Sequence, residues 1–425
     1  MNSKPSFLTI PWQIAWFIFF AAGLNYADRM ALASVIPPLR AELGATDGQV
    51  GFMFSSFLWA YAVMSPLAGI LADRFSRVRI IAWSLAGWSL CTLLMGLAPN
   101  VATLCILRIV LGCAESFFLP AAVSLLGEHH GPATRGRAMG LLMTGLNVGI
   151  VAGGSFAGFA AEHYGWRTGF WILGGVGVVL AFFSQRFLVE GPVRIRGQEA
   201  GSKSEKKGSV RESYAYIFRV PSYYAMLVSA IVAGVASWIF LSWLPLYLAE
   251  NYKLNLAAAG ITGVLLSKGP NLVGVAFGGW VSDKVAKDSA RNRVLLKAMS
   301  YLLSAPFLFL FLLSPPFAVV AGALVASSLI RSLGAPNEHP IICDIIPRQH
   351  RSAAVGLLNT VGTAAGGLGV LLAGLLKSTY GLSTIFGASS MLFILAGGVT
   401  LASFLWFMNA DVSRARLAEE EPVVT

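Results

Sequence analysis

The chain has 425 residues, of which 56% are hydrophobic and only 12% charged, with a mean hydropathy of +0.70. Soluble domains carry about 25% charged residues, so a soluble globular protein is excluded; so is a membrane β-barrel, whose short alternating segments are absent. The net charge of +11 sits mostly in short loops between apolar runs, which speaks for a polytopic helical membrane protein and against a nucleic-acid partner.

Twelve apolar runs are long enough to cross a hydrocarbon core, which takes about 20 residues each. They lie at about 11–37, 48–72, 79–98, 101–126, 136–161, 167–188, 221–249, 256–281, 293–314, 317–346, 353–377 and 382–408. The stretch Met1–Leu8 is short and polar and the first run is too long for a signal core, so no secretory signal is expected. With the N-terminus in the cytoplasm, the internal connections hold Arg74, Arg77 and Arg79, then Arg135 and Arg137, then Lys284, Lys287, Arg291 and Arg293, and last Arg348 and Arg351. The external ones hold only Arg40, Arg167, Lys253 and Lys377. That asymmetry puts both termini in the cytoplasm of a multi-pass cell (inner) membrane protein. The expected fold is all-α and integral to the membrane, with twelve transmembrane helices in two pseudo-symmetric six-helix bundles.

In the first span, Asn25-Tyr26-Ala27-Asp28-Arg29 interrupts an apolar helix. Neighbouring residues point about 100° apart, so Asp28 and Arg29 cannot simply cancel and each needs its own partner. Between spans two and three stands Gly69-x-x-x-Asp73-Arg74-x-Ser76-Arg77-x-Arg79. Here Gly69 allows a close helix approach, Asp73 can pair with a helix end or basic group, and the arginines anchor at headgroups. Span four contains Arg108 and Glu115, seven residues apart and so on nearly one face, two turns apart. Ionisable groups at membrane depth turn toward a cavity or a partner; a pair that only fixes helix packing is the alternative to a substrate and proton site. Span five carries Gly145, Gly149 and Gly153 at four-residue spacing, a seam for close packing.

A polar stretch from about Phe187 to Val220 has the composition of a flexible linker. It divides the chain into an N-terminal bundle (1–188), a linker (189–220) and a C-terminal bundle with a short tail (221–425). In span seven lie Trp238, Trp243 and Tyr247, with Ser242-Trp-Leu-Pro245 as a kink; lipid-facing positions and cavity positions are both open to these rings. Lys268 lies mid-span in span eight beside Gly269-Pro270, about 18 Å from either end, too far to snorkel easily. Arg331 and Glu338 in span ten repeat the spacing of Arg108 and Glu115, with Glu338 nearer the cytoplasmic end, where a gating pair is as open as a coupling role. The halves read as copies: a shift of 216 lays Arg135, Gly140 and Thr144 on Arg351, Gly356 and Thr360, and a slightly different one lays Gly69 and Asp73 on Gly279 and Asp283. The cysteines Cys91, Cys105, Cys113 and Cys343 fall in apolar runs and read as buried hydrophobes, and His129, His130, His163 and His350 as solvated loop residues. No metal site, cofactor or nucleotide motif is expected, and with no nucleophile a membrane enzyme is disfavoured.

Two parallel six-helix repeats around a midplane site are the plan of a rocking secondary transporter. On the Gly69–Arg79 motif and the two-half repeat, essentially the whole chain resembles the major facilitator superfamily. The resemblance implies that Gly69, Asp73, Arg74 and Arg77, echoed by Asp283, form a cytoplasmic gating latch; Ser76 stands where that family usually has glycine. Asn25–Arg29 with Arg108 and Glu115 resembles the anion:cation symporter branch and also the spinster-type lipid transporters. That implies Asp28 and Glu115 as protonation sites, with Arg29 and Arg108 as their partners and as anion ligands. Glu338 is a further coupling candidate, and Tyr26, Lys268 and Arg331 further binding candidates. Four cations, Arg29, Arg108, Lys268 and Arg331, against three acids, Asp28, Glu115 and Glu338, leave one unmatched cation for an anion. The expectation is a monomeric, proton-coupled carrier of a small organic anion working by rocker-switch alternating access, with a carrier of lysolipids or sphingoid lipids as the alternative.

Overall fold

The computed structural model describes residues 10–190, 210–286, 289 and 291–420. The first half builds α1 (Ile10–Ser34), α2 (Ile36–Leu43), α3 (Asp47–Arg74), α4 (Arg77–Met95), α5 (Val101–Ser116), α6 (Phe118–His129), α7 (Pro132–Tyr164) and α8 (Trp166–Phe187). The second builds α9 (Val210–Ile217), α10 (Pro221–Tyr252), α11 (Leu256–Ala286), α12 (Asn292–Phe309), α13 (Phe317–Gly334), α14 (Glu338–Ile345), α15 (Arg351–Trp406) and α16 (Met408–Glu420). No strand occurs among the described residues.

Ten helical segments are long and apolar enough for a crossing. One of them, Arg348–Trp406, is 59 residues long and holds two. The twelfth is α1, whose 25 residues reach about 37 Å; Asn25, Asp28 and Arg29 in its last third lower its apolarity. Spans four and ten are each made of two helices, α5 with α6 and α13 with α14.

The chain divides into two compact units, Met1–Ala200 with Ser242–Val264, and Gly201–Leu241 with Leu265–Thr425. In the first, α1 lies against α7 and α4 against α8. The glycine seam of span five is the reason α1 and α7 come so close. A Cβ on Gly149 would lie 1.9 Å from the Gly23 carbonyl oxygen, and one on Gly145 2.4 Å from that of Phe19. Backbone against backbone at this distance gains dispersion contact that larger side chains would prevent. In the second unit α12 packs on α13 and α15.

The repeat is written into the helix ends. Gly165 (φ 89, ψ 152) separates α7 from α8, and Gly381 (φ 74, ψ 159), 216 residues on, breaks α15 in the same way. Both occupy positive φ, where a side chain is strained. Arg135 donates from Nε to the His130 carbonyl at 3.3 Å and from Nη2 to that of Gly127 at 3.2 Å, so it closes the C-terminal end of α6. Arg351, again 216 residues on, does the same for α14 through Ile346 at 2.9 Å and Cys343 at 2.7 Å. Arg77 pairs with Glu128 at 3.3 Å, and Arg293 with Asp344 at 3.2 Å, at the same shift.

Several expectations are corrected. Residues 191–209 of the linker lie outside the described residues, but Val210–Ile217, within the stretch read as a flexible linker, form a helix. Ile217 is fully buried with Tyr223, Ile345 and Ile346, so this short piece has apolar area enough to fold onto the second unit. His130 is buried, with Nε2 donating to the Pro11 carbonyl at 3.0 Å and Nδ1 beside the Thr134 hydroxyl at 3.2 Å. His350 is buried too, 2.9 Å from the Ser213 hydroxyl and stacked on Tyr216. Both rings tie helix ends together instead of meeting water. Cys343 is exposed, while Cys91 is buried.

Candidate functional site

At the end of α3, the motif residues divide. A Cβ on Gly69 would meet no atom within 4 Å, so the expected close approach is not formed at this position. The side chains of Asp73 and Arg74 lie outside the described residues. Ser76 is the N-cap of α4, its hydroxyl accepting from the Arg79 amide at 3.2 Å, which gives a serine at this turn a job a glycine could not do. Glu190, just past α8, completes the cap. Its carboxylate accepts from the amides of Arg77 at 2.7 Å and Val78 at 3.2 Å and from the Ser76 hydroxyl at 3.1 Å. A carboxylate on a helix N-terminus meets free N–H groups and the positive end of the dipole together. Asp283, the echo of Asp73, is exposed and forms no ion pair among the described residues. Neither Glu190 nor Glu128 was anticipated, because both partners lie far away in sequence.

Deeper in the first unit, α1, α3, α4 and α5 enclose a group of charges. Asp28 is 1% exposed, Arg29 6%, Arg108 2% and Glu115 0%. Arg29 Nε donates to Glu115 Oε2 at 2.6 Å. Three rings surround its guanidinium, Tyr26 at 4.6 Å, Tyr61 at 4.7 Å and Phe57 at 5.0 Å from ring centre to Cζ. The pair is therefore both neutralised and sheathed; removing one partner alone would strand a buried charge, at about 3–5 kcal/mol. Phe57 also faces Arg108, whose Cζ stands 4.5 Å from the same ring.

Arg108 forms no hydrogen bond or ion pair with either carboxylate among the described residues, although both lie near enough for its charge to act on them. Its Nε reaches the Met53 carbonyl at 3.4 Å, and its Nη1 is buried without a hydrogen bond. Seven residues put Arg108 and Glu115 on one face but about 10 Å apart along the axis, so each must reach sideways to another helix. Asp28 is poorer still in hydrogen bonds. Neither of its oxygens has a hydrogen-bond partner, although the Thr92 hydroxyl lies nearby and is likewise unpaired. Glu115 Oε1 and Asn25 Nδ2 form a second such couple. Buried polar groups are rarely left bare, and an unmet carboxylate at this depth is costly.

The second unit holds a cavity of about 290 Å³. Lys268, Arg331, Glu338, Tyr301, Asn271 and Trp238 are among its lining. Lys268 has no hydrogen bond or ion pair among the described residues, and Arg331 has only the Phe393 ring, 5.0 Å away. Glu338 is taken by a residue that the sequence reading passed over. Lys297 of α12, 2% exposed, holds its carboxylate at 2.8 Å. Of the span-seven aromatics, Trp238 reaches the cavity, whereas Trp243 and Tyr247 are fully buried in the first unit.

The structure also corrects the register of the repeat. Helices α5 and α13 begin at Val101 and Phe317, and α6 and α14 end at His129 and Ile345, all at the shift of 216. That shift sets Arg331 at the place of Glu115, and Glu338 at the place of Ala122. The second Arg-(x)6-Glu is thus displaced by two turns from the first, and the two copies carry opposite charge at one backbone position.

Comparison with known proteins agrees with this architecture. The chain is 29% identical over 406 residues to probable anion transporter 4, chloroplastic, of Oryza sativa subsp. japonica, covering 90% of the chain and 66% of that protein, about two thirds of its length. It is 26% identical over 397 residues to the hexuronate transporter of Bacillus subtilis (strain 168), covering 92% of each. The crystal structure of a bacterial homolog to the human lysosomal transporter Spinster, inward-facing and unoccupied, superposes with a TM-score of 0.79 at 20% identity over 100% of both chains, a likeness of fold. The family model of the Major Facilitator Superfamily matches residues 18–296 and 270–424. With that match across nearly its whole length, the chain belongs to the Major Facilitator Superfamily.

Proposed function

We propose that the chain is a proton-coupled secondary active transporter of a small organic anion, a carboxylate of the sugar-acid type. As a member of its superfamily it is a membrane transporter and not an enzyme. The observation that carries the finer reading is the partition of buried charge. The first unit holds two fully buried carboxylates, Glu115 paired with Arg29 and Asp28 without a hydrogen-bond partner; in the cavity of the second, Lys268 and Arg331 have no ion pair among the described residues, the acid there, Glu338, being held by Lys297. Relatives named for anion and hexuronate transport support an anionic substrate.

The coupling follows from competition. Glu115 is held as an anion by Arg29. A substrate carboxylate that competes for Arg29 releases Glu115, which at that depth must then take a proton. Anion and proton thereby favour each other's binding, and by reciprocity each raises the other's affinity. Asp28, whose oxygens have no hydrogen-bond partner, carries the second exchangeable proton. Tyr26 and Arg108 are further binding residues of the first unit, and Lys268 and Arg331 attract an anion to the cavity of the second. In this reading the chain works as a monomer in the cell membrane, both termini cytoplasmic, by rocker-switch alternating access. Gly69, Asp73, Arg74, Arg77 and Asp283 act as the latch.

The test uses purified protein in liposomes loaded with a pH-sensitive dye under an imposed pH gradient. Sugar acids, monocarboxylates, aromatic acids and lysolipids are added in turn. Proton influx triggered by one acid, and abolished in Glu115→Gln and Asp28→Asn, is the expected result. Translocation of a lysolipid with no acid-driven proton movement would overturn the reading.

A further inference from the structure

We infer that the cavity of the second unit selects a doubly charged anion, because Lys297 cancels Glu338, the only acid among its described lining residues, and leaves Lys268 and Arg331 both uncompensated. This rests on the organic-anion reading above and sharpens it from an anion to a dianion, an aldarate rather than an aldonate.

The argument is one of charge count at close range. Lys268 and Arg331 line one cavity of about 290 Å³, and Arg331 is near enough to act electrostatically on Lys268. Like charges brought together out of water repel strongly, so such a pair favours an anion that offsets both. Glu338 on the same wall could have done so. Its carboxylate is instead bonded to Lys297, which is itself almost wholly buried and pairs with nothing else among the described residues. Glu338 and Lys297 together contribute no net charge, and the cavity is left with two positive charges rather than the one that a count without Lys297 gives. A monoanion would leave one cation stranded, whereas a dianion leaves none. The remaining lining suits a hydroxylated body between two charged ends. Asn271, Asn359, Thr363 and Ser237 offer neutral donors and acceptors, and Trp238 offers a flat apolar face.

Lys297 is on this account a positioning residue. It sets the cavity's charge through Glu338 without reaching the substrate.

The experiment compares glucarate and gluconate, matched in length and in their four inner hydroxyls, with a second carboxylate in glucarate where gluconate ends in CH2OH. Binding to the full chain in detergent is measured by calorimetry and by the shift in melting temperature. Glucarate is expected to bind about tenfold more tightly, the worth of one more hydrogen-bonded charge pair. Lys268→Gln and Arg331→Gln are each expected to weaken glucarate by a similar factor and gluconate much less. Lys297→Met is expected to shrink the preference, and Lys297→Arg to restore it. Because two unpaired like charges repel, Lys268→Gln is also expected to raise the melting temperature of the empty protein, which a structural lysine would not do. Gluconate binding as tightly as glucarate, or a Lys268→Gln variant that melts lower when empty, overturns the dianion assignment alone. Failure of both acids to bind overturns it together with the reading on which it rests.

Discussion

His130 illustrates how much a single side chain can decide. The Pro11 carbonyl can only accept, so Nε2 must carry the proton, and Nδ1 is left to accept from the Thr134 hydroxyl. Burial holds the ring's pKa below its ordinary value near 6.5. The native ring is therefore neutral where the unfolded one is charged, and the unfolded state binds more protons. Stability from this contact is complete above pH 6.5 and is lost as pH falls through the lower, folded-state value. Melting temperatures of the solubilised protein, followed from pH 7.5 to pH 5, are expected to drop on acidification, and to drop less in His130→Asn. The charged residues at membrane depth were legible one by one, since hydrocarbon makes every ionisable group conspicuous. Asp28, Arg29, Glu115, Lys268 and Arg331 were all found that way. Their pairing was not, because Arg29–Glu115 and Lys297–Glu338 join helices whose relative rotation no local pattern encodes. Lys297 was missed for a related reason: in the sequence it follows a run of loop arginines and reads as one more headgroup anchor.

Helix by helix, the seam between α1 and α7 is the tightest test of the packing. A Cβ at Gly149 would intrude on the Gly23 backbone, whereas one at Gly140, on the same helix, would meet nothing within 4 Å. Gly149→Val is expected to cost about 1–3 kcal/mol or more, as overpacking does, and to lower the melting temperature clearly. Gly140→Val is expected to change it little, so equal behaviour of the two would mean that the seam carries no stability. The four-residue spacing of Gly145, Gly149 and Gly153 marked this face in advance. Its partner stripe, Phe19, Gly23 and Ala27, could not be named, because a small residue on α1 reads equally as helix filler. The helix breaks at Gly165 and Gly381 were likewise legible through the repeated Tyr-Gly pairs Tyr164-Gly165 and Tyr380-Gly381.

Across the whole molecule, the repeated ion pairs Arg77–Glu128 and Arg293–Asp344 invite the same manipulation in both copies. Reversing one member to place like charges together is expected to slow transport by about fivefold or less, given that half-exposed pairs contribute at most about 1 kcal/mol. Exchanging both members of a pair is expected to restore the rate, measured as uptake into proteoliposomes. Twelve spans were readable from hydropathy and loop charge, and their twofold repeat from residues recurring at a fixed shift, since all of these are properties of the chain rather than of its contacts. The register within the repeat needed the helix ends, and these set Arg331 at the place of Glu115. That substitution has an evolutionary consequence. An assembly of two identical six-span subunits would present the same ion at this backbone position twice, and so could not hold an acid on one side and a base on the other. Within one polypeptide each copy carries its own residue, and here the sign of the charge at one equivalent position is reversed between the two.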